Sequence, residues 1–274
     1  MTEQIIYSVE GESQALKDAV AGAKATFKFF WRELSWEARR IIKGLDMAAV
    51  KMSFLLDPDD PNIPAVENMW LADVEFDGRI ITGRLLNEPR WATQYQASDS
   101  VSLPFAALND WMYVRGGHVF GGFTVDAMRS DMPADELAAH DEAWGLEFGE
   151  PGTVEVVPVD DGQAPRLLTR ALNTDADRQL LAQLEGEDHP MAVNMSEQVE
   201  EALQQYPEMV SGADESGWLL LHREVLAGNY PVVHALLRHG ADRLALNGYG
   251  QSALTLADES GWPRIAQLLK IETL

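Results

Sequence analysis

A repeat near the C-terminus, with a period of 33 residues, constrains this chain more than any other feature of its sequence. Residues 217–222 align with residues 250–255, and Gly228 aligns with Gly261. The apolar residues that follow in the first copy, 232–236, align with 265–269 in the second. A fixed period of this length is typical of repeat architectures, in which similar units stack and bury a shared core.

The pattern within each copy resembles the ankyrin repeat, a β-turn followed by two antiparallel helices. His222 keeps the histidine whose hydrogen bond ties the turn to the helix in that fold, but neither copy has the family's proline in the Thr-Pro-Leu-His position. Glu224 stands where a small alanine normally packs. Two repeats fall short of the roughly three that a self-sufficient stack needs. The preceding helices or the front part of the chain must therefore complete the core.

The first 150 residues change from a helical period to a strand period. Apolar residues at spacings of three and four predict a helix within 13–43, and Ser35 is expected to cap a second helix that ends at Gly44. Hairpin turns are predicted at Asp77-Gly78 and Gly116-Gly117, and a short acidic helix at 133–144. Strands are predicted at 48–56, 69–76, 79–86, 100–105, 111–114 and 118–124. We expect an α+β fold, with one or two N-terminal helices on a curled antiparallel sheet or small barrel.

The segment between this part and the repeats predicts a linker. Residues 151–166 are rich in Pro, Gly and acidic side chains. We therefore expect an α+β domain at 1–150, the linker at 151–166, and a helical ankyrin-like domain at 167–274. Two further helices, predicted at 167–184 and 196–206, would cap the repeats.

The stretches 30–37 (FWRELSWE), 73–78 (DVEFDG) and 110–114 (DWMYV) carry a second resemblance. With them, residues from about 22 to 150 resemble a bacterial domain family of unknown function, family 2314. Some members of that family are joined to ankyrin repeats, which agrees with the layout here. The family brings no established activity. The Asp-Trp-Met-Tyr hairpin followed by Gly-Gly-Phe-Thr also looks like domains found among bacterial toxin-immunity proteins. The resemblance to family 2314 rests on six stretches in the family's order: 30–37 (FWRELSWE), 73–78 (DVEFDG), 86–89 (LNEP), 110–114 (DWMYV), 121–124 (GGFT) and 140–146 (HDEAWGL).

The net charge of −23 restricts the classes of partner. Acidic residues exceed basic ones in both halves of the chain, so the whole surface is expected to be negative. Such a field repels nucleic acids and anionic membranes and attracts basic proteins, although solubility alone would also explain it. The absence of cysteine excludes disulfides and thiolate metal sites. We expect neither a signal peptide nor a transmembrane helix, and hence a cytoplasmic protein.

Residues for catalysis or cofactor binding are sparse. The chain has no nucleophile elbow, phosphate-binding loop or dinucleotide fingerprint, and its six histidines lack the spacing of a zinc site. Asp57, Asp59 and Asp60 lack the glycine and the distal glutamate of a calcium loop. We therefore predict no catalytic residue, no cofactor and no metal.

Six of the eight tryptophans lie in the front part of the chain. Core packing is the favoured interpretation, because tryptophan buries a large apolar area. The alternative is an aromatic-lined ligand cleft. The residues predicted to line it are Glu88, Trp91, Asp110 and Tyr113.

The favoured function is non-catalytic binding of another protein. The ankyrin resemblance implies that turn tips and inner helices form the binding surface, and Tyr, Trp and Arg dominate the energetics of interfaces. A specific form of this hypothesis is a neutralising partner for a basic bacterial toxin. The residues predicted to bind the partner are Trp218, Arg223, Asn229, Tyr230, Arg243, Leu244, Asn247 and Tyr249.

Two other functions are compatible with the same residues. The front domain could be an enzyme or small-ligand sensor that uses the tryptophan-rich cleft, with the repeats as a tether. Alternatively, the repeats could serve only for self-association or for packing on the front domain. The sequence leaves the partner's identity, the oligomeric state and the relative orientation of the two parts open.

Overall fold

A long N-terminal helix packs on a six-stranded antiparallel sheet, and a helical C-terminal part follows, as predicted. The computed structural model describes residues 13–56, 63–159 and 162–271. The helices are α1 (Gln14–Glu37), α2 (Phe123–Ser130), α3 (Ala134–Trp144), α4 (Asp175–Gly186), α5 (Pro190–Asn194), α6 (Ser196–Gln205), α7 (Leu220–Leu226), α8 (Tyr230–Arg238), α9 (Ala253–Glu259) and α10 (Pro263–Lys270). The strands are β1 (Met47–Leu55), β2 (Val66–Phe76), β3 (Ile80–Leu85), β4 (Ser100–Pro104), β5 (Leu108–Arg115), β6 (His118–Gly121), β7 (Thr153–Glu155) and β8 (Leu167–Thr169).

The prediction of a second helix after Ser35 is wrong, because α1 continues through that residue to Glu37. The Ser35 hydroxyl donates to the carbonyl of Arg32 within the helix at 2.8 Å and caps nothing. Beyond the helix, the Glu37 carboxylate accepts hydrogen bonds from the backbone amides of Gly44 and Leu45, at 2.9 and 3.3 Å. These bonds fold residues 38–45 into a closed loop. The Glu37 carboxylate thus satisfies backbone donors of a loop at the place where the second helix was predicted.

The sheet has the strand order β4-β3-β2-β1-β5-β6 and is open, since β4 and β6 form separate edges. Both predicted hairpin turns are confirmed, with Asp77-Gly78 joining β2 to β3 and Gly116-Gly117 joining β5 to β6. One face of the sheet packs against α1, where the rings of Phe30 and Trp111 lie 5.5 Å apart. The Trp111 indole donates to the carbonyl of Ala23 in the helix at 2.9 Å. Trp111 therefore serves as core, whereas Trp144 is 41% exposed.

Strand β6 ends three residues earlier than predicted, and α2 follows it directly. Gly121 and Gly122 have φ of +80° and +75°, a conformation that stops the strand and favours glycine. The buried carboxylate of Asp110 accepts from the amides of Phe123 and Thr124, at 3.0 and 2.7 Å. An acceptor on the neighbouring strand therefore satisfies the first donors of α2, as a helix cap would.

The predicted linker is part of the fold in its described residues. Strands β7 and β8 pair with each other, and Val154 and Val156 join the main hydrophobic core. The prediction of a helix from residue 167 is wrong for its first residues, because β8 occupies Leu167–Thr169 and α4 begins at Asp175. Asp177 explains the shift, because its carboxylate accepts from the amides of Thr169 and Thr174, at 2.7 and 2.9 Å. The division into domains stays a prediction.

Two helix pairs, α7 with α8 and α9 with α10, form the ankyrin-like part. His222 has the role that the resemblance implies: its Nδ1 accepts from the amide of Leu219 at 3.1 Å, and its Nε2 donates to the carbonyl of Ala245 at 3.0 Å. Helices α5 and α6 pack on α8, as expected for a cap, and α4 packs on α10. The outward-facing Thr255, Asp258 and Gln267 give the last pair a polar outer surface, which ends the stack.

Substitution of Gly228 by alanine should destabilise the protein more than the same change at Gly240. Both glycines have positive φ, +73° and +86°, which costs alanine about 1–2 kcal/mol. A Cβ at Gly228 would lie 2.2 Å from the Trp262 ring, whereas nothing lies within 4 Å of one at Gly240. Overpacking should add about 1–3 kcal/mol at Gly228. Urea unfolding of both variants measures the difference, and equal losses would contradict the packing described here.

Candidate protein-binding surface

The β2–β3 turn of the front part covers the inner helices of the ankyrin-like part. Gly78, at the tip of this turn, lies against Trp218, Leu226 and Leu256, since a Cβ there would lie 3.6 to 3.7 Å from their side chains. Next to the tip, the Tyr249 hydroxyl donates to the Asp77 carboxylate at 2.5 Å. The surface that ankyrin repeats commonly offer to other proteins is thus in contact with this chain's own sheet.

Burial of Asp77 acts to raise the pKa of its carboxyl, but hydrogen bonds from Tyr249 and from the amides of Ile80 and Arg79 outweigh it. The pKa of Asp77 consequently lies below its ordinary value. The Asp77 carboxylate is therefore held in its charged form, as an acceptor for the Tyr249 hydroxyl.

The end of α1 forms a buried polar contact with the junction of α7 and α8. The Trp36 indole donates to the side-chain oxygen of Asn229 at 2.7 Å. The Asn229 amide in turn donates to the Glu224 carboxylate at 2.8 Å, and Arg39 forms an ion pair with that carboxylate. Asn229 and Glu224 are both buried. Glu224, the departure from the ankyrin alanine, therefore has one partner in the front part, Arg39, and one in the repeats, Asn229.

Two cations on the same helix bind backbone carbonyls of the helical part, Lys28 at the junction of α9 and α10 and Arg32 at the end of α4. The Lys28 ammonium donates to the carbonyl of Gly261 at 2.7 Å, and Arg32 donates to the carbonyl of Glu187 at 3.0 Å. The ring of Phe29 meets that of Trp262 edge to face at 5.8 Å. Burial lowers the pKa of Lys28 below its ordinary value and that of Arg32 to about 10. Hydrogen bonds to carbonyls partly compensate this loss of hydration.

A buried histidine–glutamate pair lies between these two contacts. The imidazole Nε2 of His189 lies 2.8 Å from the Glu33 carboxylate, and the ring of His189 stacks on Trp36 at 5.8 Å. Burial alone would raise the pKa of Glu33, but the hydrogen bond and charge of His189, together with Arg40, lower it below its ordinary value. Glu33 is therefore ionised at neutral pH, and the pair links α1 to the segment that precedes α5.

The structure separates the eight residues predicted to bind a partner. Trp218, Asn229 and Asn247 are buried. Tyr230 is half-buried, with the Arg264 guanidinium 3.6 Å from its ring centre. These four side chains pack within the chain, so an approaching protein meets little of them.

The other four residues lie closer to solvent. Arg223 is exposed and forms an ion pair with Asp214. Arg243 is half-buried, whereas the side chains of Leu244 and Tyr249 are 77% and 44% exposed. Arg243, Leu244 and Tyr249 all belong to the extended turn between the two helix pairs, which is where ankyrin turn tips lie.

Sequence reasoning missed Leu246, which is 61% exposed in the same turn. The sequence did carry a signal for it. Leu244 and Leu246 are two residues apart, a spacing that places both side chains on one face of an extended segment. The contacts of Trp36, Lys28 and Asp77 with the repeats were also missed. Those contacts depend on the orientation of the two parts, for which the sequence carries no local signal.

The four residues predicted to line a ligand cleft do not share one. Asp110 and Tyr113 are fully buried, and the Tyr113 ring stacks on that of Phe120 at 4.9 Å. Glu88 is exposed and accepts from the amide of Ala97 at 3.0 Å. Trp91 is half-buried in the loop after it. Asp110 and Tyr113 thus belong to the core, whereas Glu88 and Trp91 lie near the surface.

Asp110 belongs instead to a small buried polar group. Its carboxylate accepts from the Thr124 hydroxyl at 2.6 Å, and that hydroxyl accepts from the Lys51 ammonium at 2.7 Å. Burial raises the pKa of Asp110 above its ordinary value, although Lys51 and Thr124 act to lower it. The arrangement positions the start of α2.

No group of three or more His, Asp or Glu side chains that could hold a metal ion is present in the described residues. Asp57, Asp59 and Asp60 lie outside the residues that the structure describes. Among the helices described, none is long and apolar enough to cross a membrane.

Comparisons with known proteins agree with the two resemblances. Residues 13–148 match the model of a family described as uncharacterized proteins conserved in bacteria, DUF2314. The chain is 38% identical over 270 residues to a protein of Neisseria meningitidis serogroup B named as an ankyrin repeat protein, NMB1133/NMB1171, and covers 98% of both chains. It is also 33% identical over 76 residues to the uncharacterized protein YegJ of Escherichia coli, covering 27% of this chain and 50% of that one.

The His189–Glu33 pair predicts an acid-sensitive contribution to stability. Glu33→Gln should lower the free energy of unfolding at pH 7 by about 1–3 kcal/mol, since it leaves buried groups imperfectly paired. Because the pKa of Glu33 is depressed in the folded state, its contribution is present above the unfolded pKa of about 4.3 and is lost as pH falls through the folded pKa. The difference in the free energy of unfolding between wild type and variant should therefore decrease below about pH 4. Urea unfolding across pH 3–7 measures it, and a gap independent of pH would refute the charged pair.

Proposed function

This chain belongs to the family of the meningococcal ankyrin repeat protein and carries the DUF2314 domain, and on that premise we propose that it is a non-catalytic protein-binding protein. The binding surface is the turn between the two helix pairs, which we term the finger surface: Arg243, Leu244, Leu246 and Tyr249. The observation that carries this proposal is the exposure of Leu244 and Leu246, at 77% and 61%, while the inner helices contact the β2–β3 turn.

The finger surface has the chemistry of a small interface core. Full burial of a leucine side chain contributes about 1.5–3 kcal/mol. Arginine and tyrosine beside it are residue types that dominate interface energetics. The His222 hydrogen bond to the carbonyl of Ala245 holds the turn in place, at 3.0 Å, so that little conformational entropy is lost on binding.

The partner that the net charge of the whole chain favours is a basic protein of the same cytoplasm. A net charge of −23 raises the encounter rate with cations and opposes association with nucleic acid or anionic lipid. Neutralisation of a basic bacterial toxin is the specific form of the proposal. It is supported by the charge and by the ankyrin layout of the chain.

A second candidate function is a purely internal one, in which the repeats complete the front domain. The contacts of Trp36 with Asn229, of Lys28 with Gly261 and of Asp77 with Tyr249 favour it. In that case the finger surface binds nothing, and truncation of the repeats destroys the front domain's fold. The two functions differ in whether finger-surface substitutions change partner capture.

Replacement of Leu244 and Leu246 by serine should abolish partner capture. Both side chains point to solvent, so the double variant should fold normally, while affinity should fall at least tenfold from the lost apolar burial. The measurement is affinity capture by the tagged full chain from its own cell lysate at physiological salt, quantified by mass spectrometry. Leu55→Ser is the control, because Leu55 is 82% exposed on β1, a strand of the front part.

A single stoichiometric basic protein, retained by Leu55→Ser and lost with the double variant, is the expected result. Equal capture by the double variant and wild type would contradict the finger surface as the binding site. Capture that collapses between low and physiological salt, for every basic protein alike, would contradict a specific basic partner.

A further inference from the structure

Two adjacent isoleucines are more exposed than any other large apolar residue in the described part of the chain. Ile41 is 101% exposed and Ile42 is 84% exposed. Neither the family resemblance nor the finger surface accounts for them. Burial of both side chains in an apolar site would contribute about 3–6 kcal/mol of binding free energy.

The loop that carries these isoleucines is held in one conformation by Glu37. The Glu37 carboxylate accepts from the amides of Gly44 and Leu45, at 2.9 and 3.3 Å, and from the Arg40 guanidinium at 3.0 Å. The Lys43 ammonium donates to the backbone carbonyl of Glu37 at 2.9 Å. A loop closed in this way presents its apolar side chains without a large loss of entropy on binding.

The loop is locally basic on a chain whose net charge is −23. Arg39, Arg40 and Lys43 flank the two isoleucines in sequence. Arg39 and Arg40 have acidic partners within the chain, and Lys43 adds an exposed positive charge at the rim of the loop. The complementary site is therefore an apolar depression with carboxylates at its edge.

An open groove between α6 and α8 combines apolar walls with polar edges. Its volume is about 250 Å³, and Val199, Pro231, Val232 and Ala235 form its apolar part. Its polar lining residues are Asp188, Ser196, Glu200, His234 and Arg238. An apolar cavity of about 150 Å³ holds a benzene molecule, so the groove has room for the eight side-chain carbons of two isoleucines.

Carboxylates surround one end of this groove. Glu200 lines it and binds Arg238 and His239, while Glu197 and Glu201 lie beside it on α6. Glu197 and Glu201 form no ion pair with any residue that the structure describes. They are available to a cation on a second molecule.

The loop and the groove lie on either side of the same junction. Trp36, close before the loop, binds Asn229 at 2.7 Å, and the next residue, Tyr230, lines the groove. When two complementary features are neighbours on one surface, a two-fold axis can place the loop of each copy against the groove of the other. The result is a closed dimer with two equal contacts.

We propose that the chain forms a two-fold dimer in which the Ile41–Ile42 loop of each copy inserts into the α6–α8 groove of the other. The isoleucines pack on the apolar part of the groove, and Lys43 meets Glu197 and Glu201 at its edge. The two contacts act together, so each raises the effective concentration of the other. Dimerisation leaves the finger surface free for a different partner.

Sedimentation velocity of the full chain at physiological salt, over a range of micromolar concentrations, tests the proposal. Wild type should sediment as a dimer of the 30.4 kDa chain, and Ile41→Ser with Ile42→Ser should raise the dissociation constant at least tenfold. The matched control is Leu244→Ser with Leu246→Ser, which removes two exposed apolar side chains elsewhere and should leave the dimer intact. A monomeric wild type, or equal effects of the two double variants, would overturn the proposal.

Charge reversal provides a second arm that does not depend on the isoleucines. The single variant Lys43→Glu should weaken the dimer. The double variant Glu197→Lys with Glu201→Lys should weaken it as well. A chain that carries all three substitutions should form the dimer again. Failure of the combined variant to associate, with circular dichroism showing that it is folded, would contradict the pairing of Lys43 with α6.

Flotation with vesicles that contain phosphatidylserine tests whether the loop binds an anionic membrane instead of a second copy of the chain. The proposal predicts that wild type stays unbound. Flotation that requires Ile41 and Ile42 would assign the loop to an anionic membrane surface and overturn the dimer.

Discussion

The hydrogen bond between the Trp36 indole and Asn229 joins the two halves of this chain at a buried point, and the packing around it depends on both partners being in place. Asn229 also orients Glu224, which binds Arg39, so α1 and the α7–α8 junction satisfy each other's polar groups. Removing either half would leave buried polar atoms without partners, which costs more than such bonds contribute when made. The front part thus supplies what a third repeat would otherwise provide.

This sharing of one interface determines which surfaces remain for other molecules. The β2–β3 turn covers the inner helices, and α1 covers the junctions between the helices of each pair. Exposed apolar side chains lie at the periphery of this interface, among them Leu244 and Leu246 in the turn between the pairs, and Ile41 and Ile42 in the loop after α1. These are separate surfaces, one proposed for a basic partner and the other for a second copy. Of the four residues considered for a cleft in the front part, Asp110 and Tyr113 are buried in its core.

Local patterns predicted much of the fold, because periodicity and turn chemistry act over a few residues. The hairpin at Asp77-Gly78, the α+β class and the 33-residue repeat all follow from such patterns. The errors have a common cause in carboxylates that act over longer separations. Glu37 closes the loop where a second helix was expected, Asp110 starts α2, and Asp177 delays α4. For the site, Leu244 and Tyr249 were among the predicted residues and are exposed, Leu246 was missed, and the burial of Trp218 and Asn229 depends on the front part's orientation.

The central claim is that α1 makes the sheet and the repeats one cooperative unit. Native-state hydrogen exchange of the full chain, resolved by peptide mass spectrometry, tests it directly by comparing the opening free energies of β1 and β5 with those of α7 and α9. The account predicts the same free energy for both sets and an equal decrease in both when Trp36 is replaced by phenylalanine. If α7 and α9 exchanged through an opening of much lower free energy while the sheet stayed protected, the claim of one cooperative unit would be contradicted.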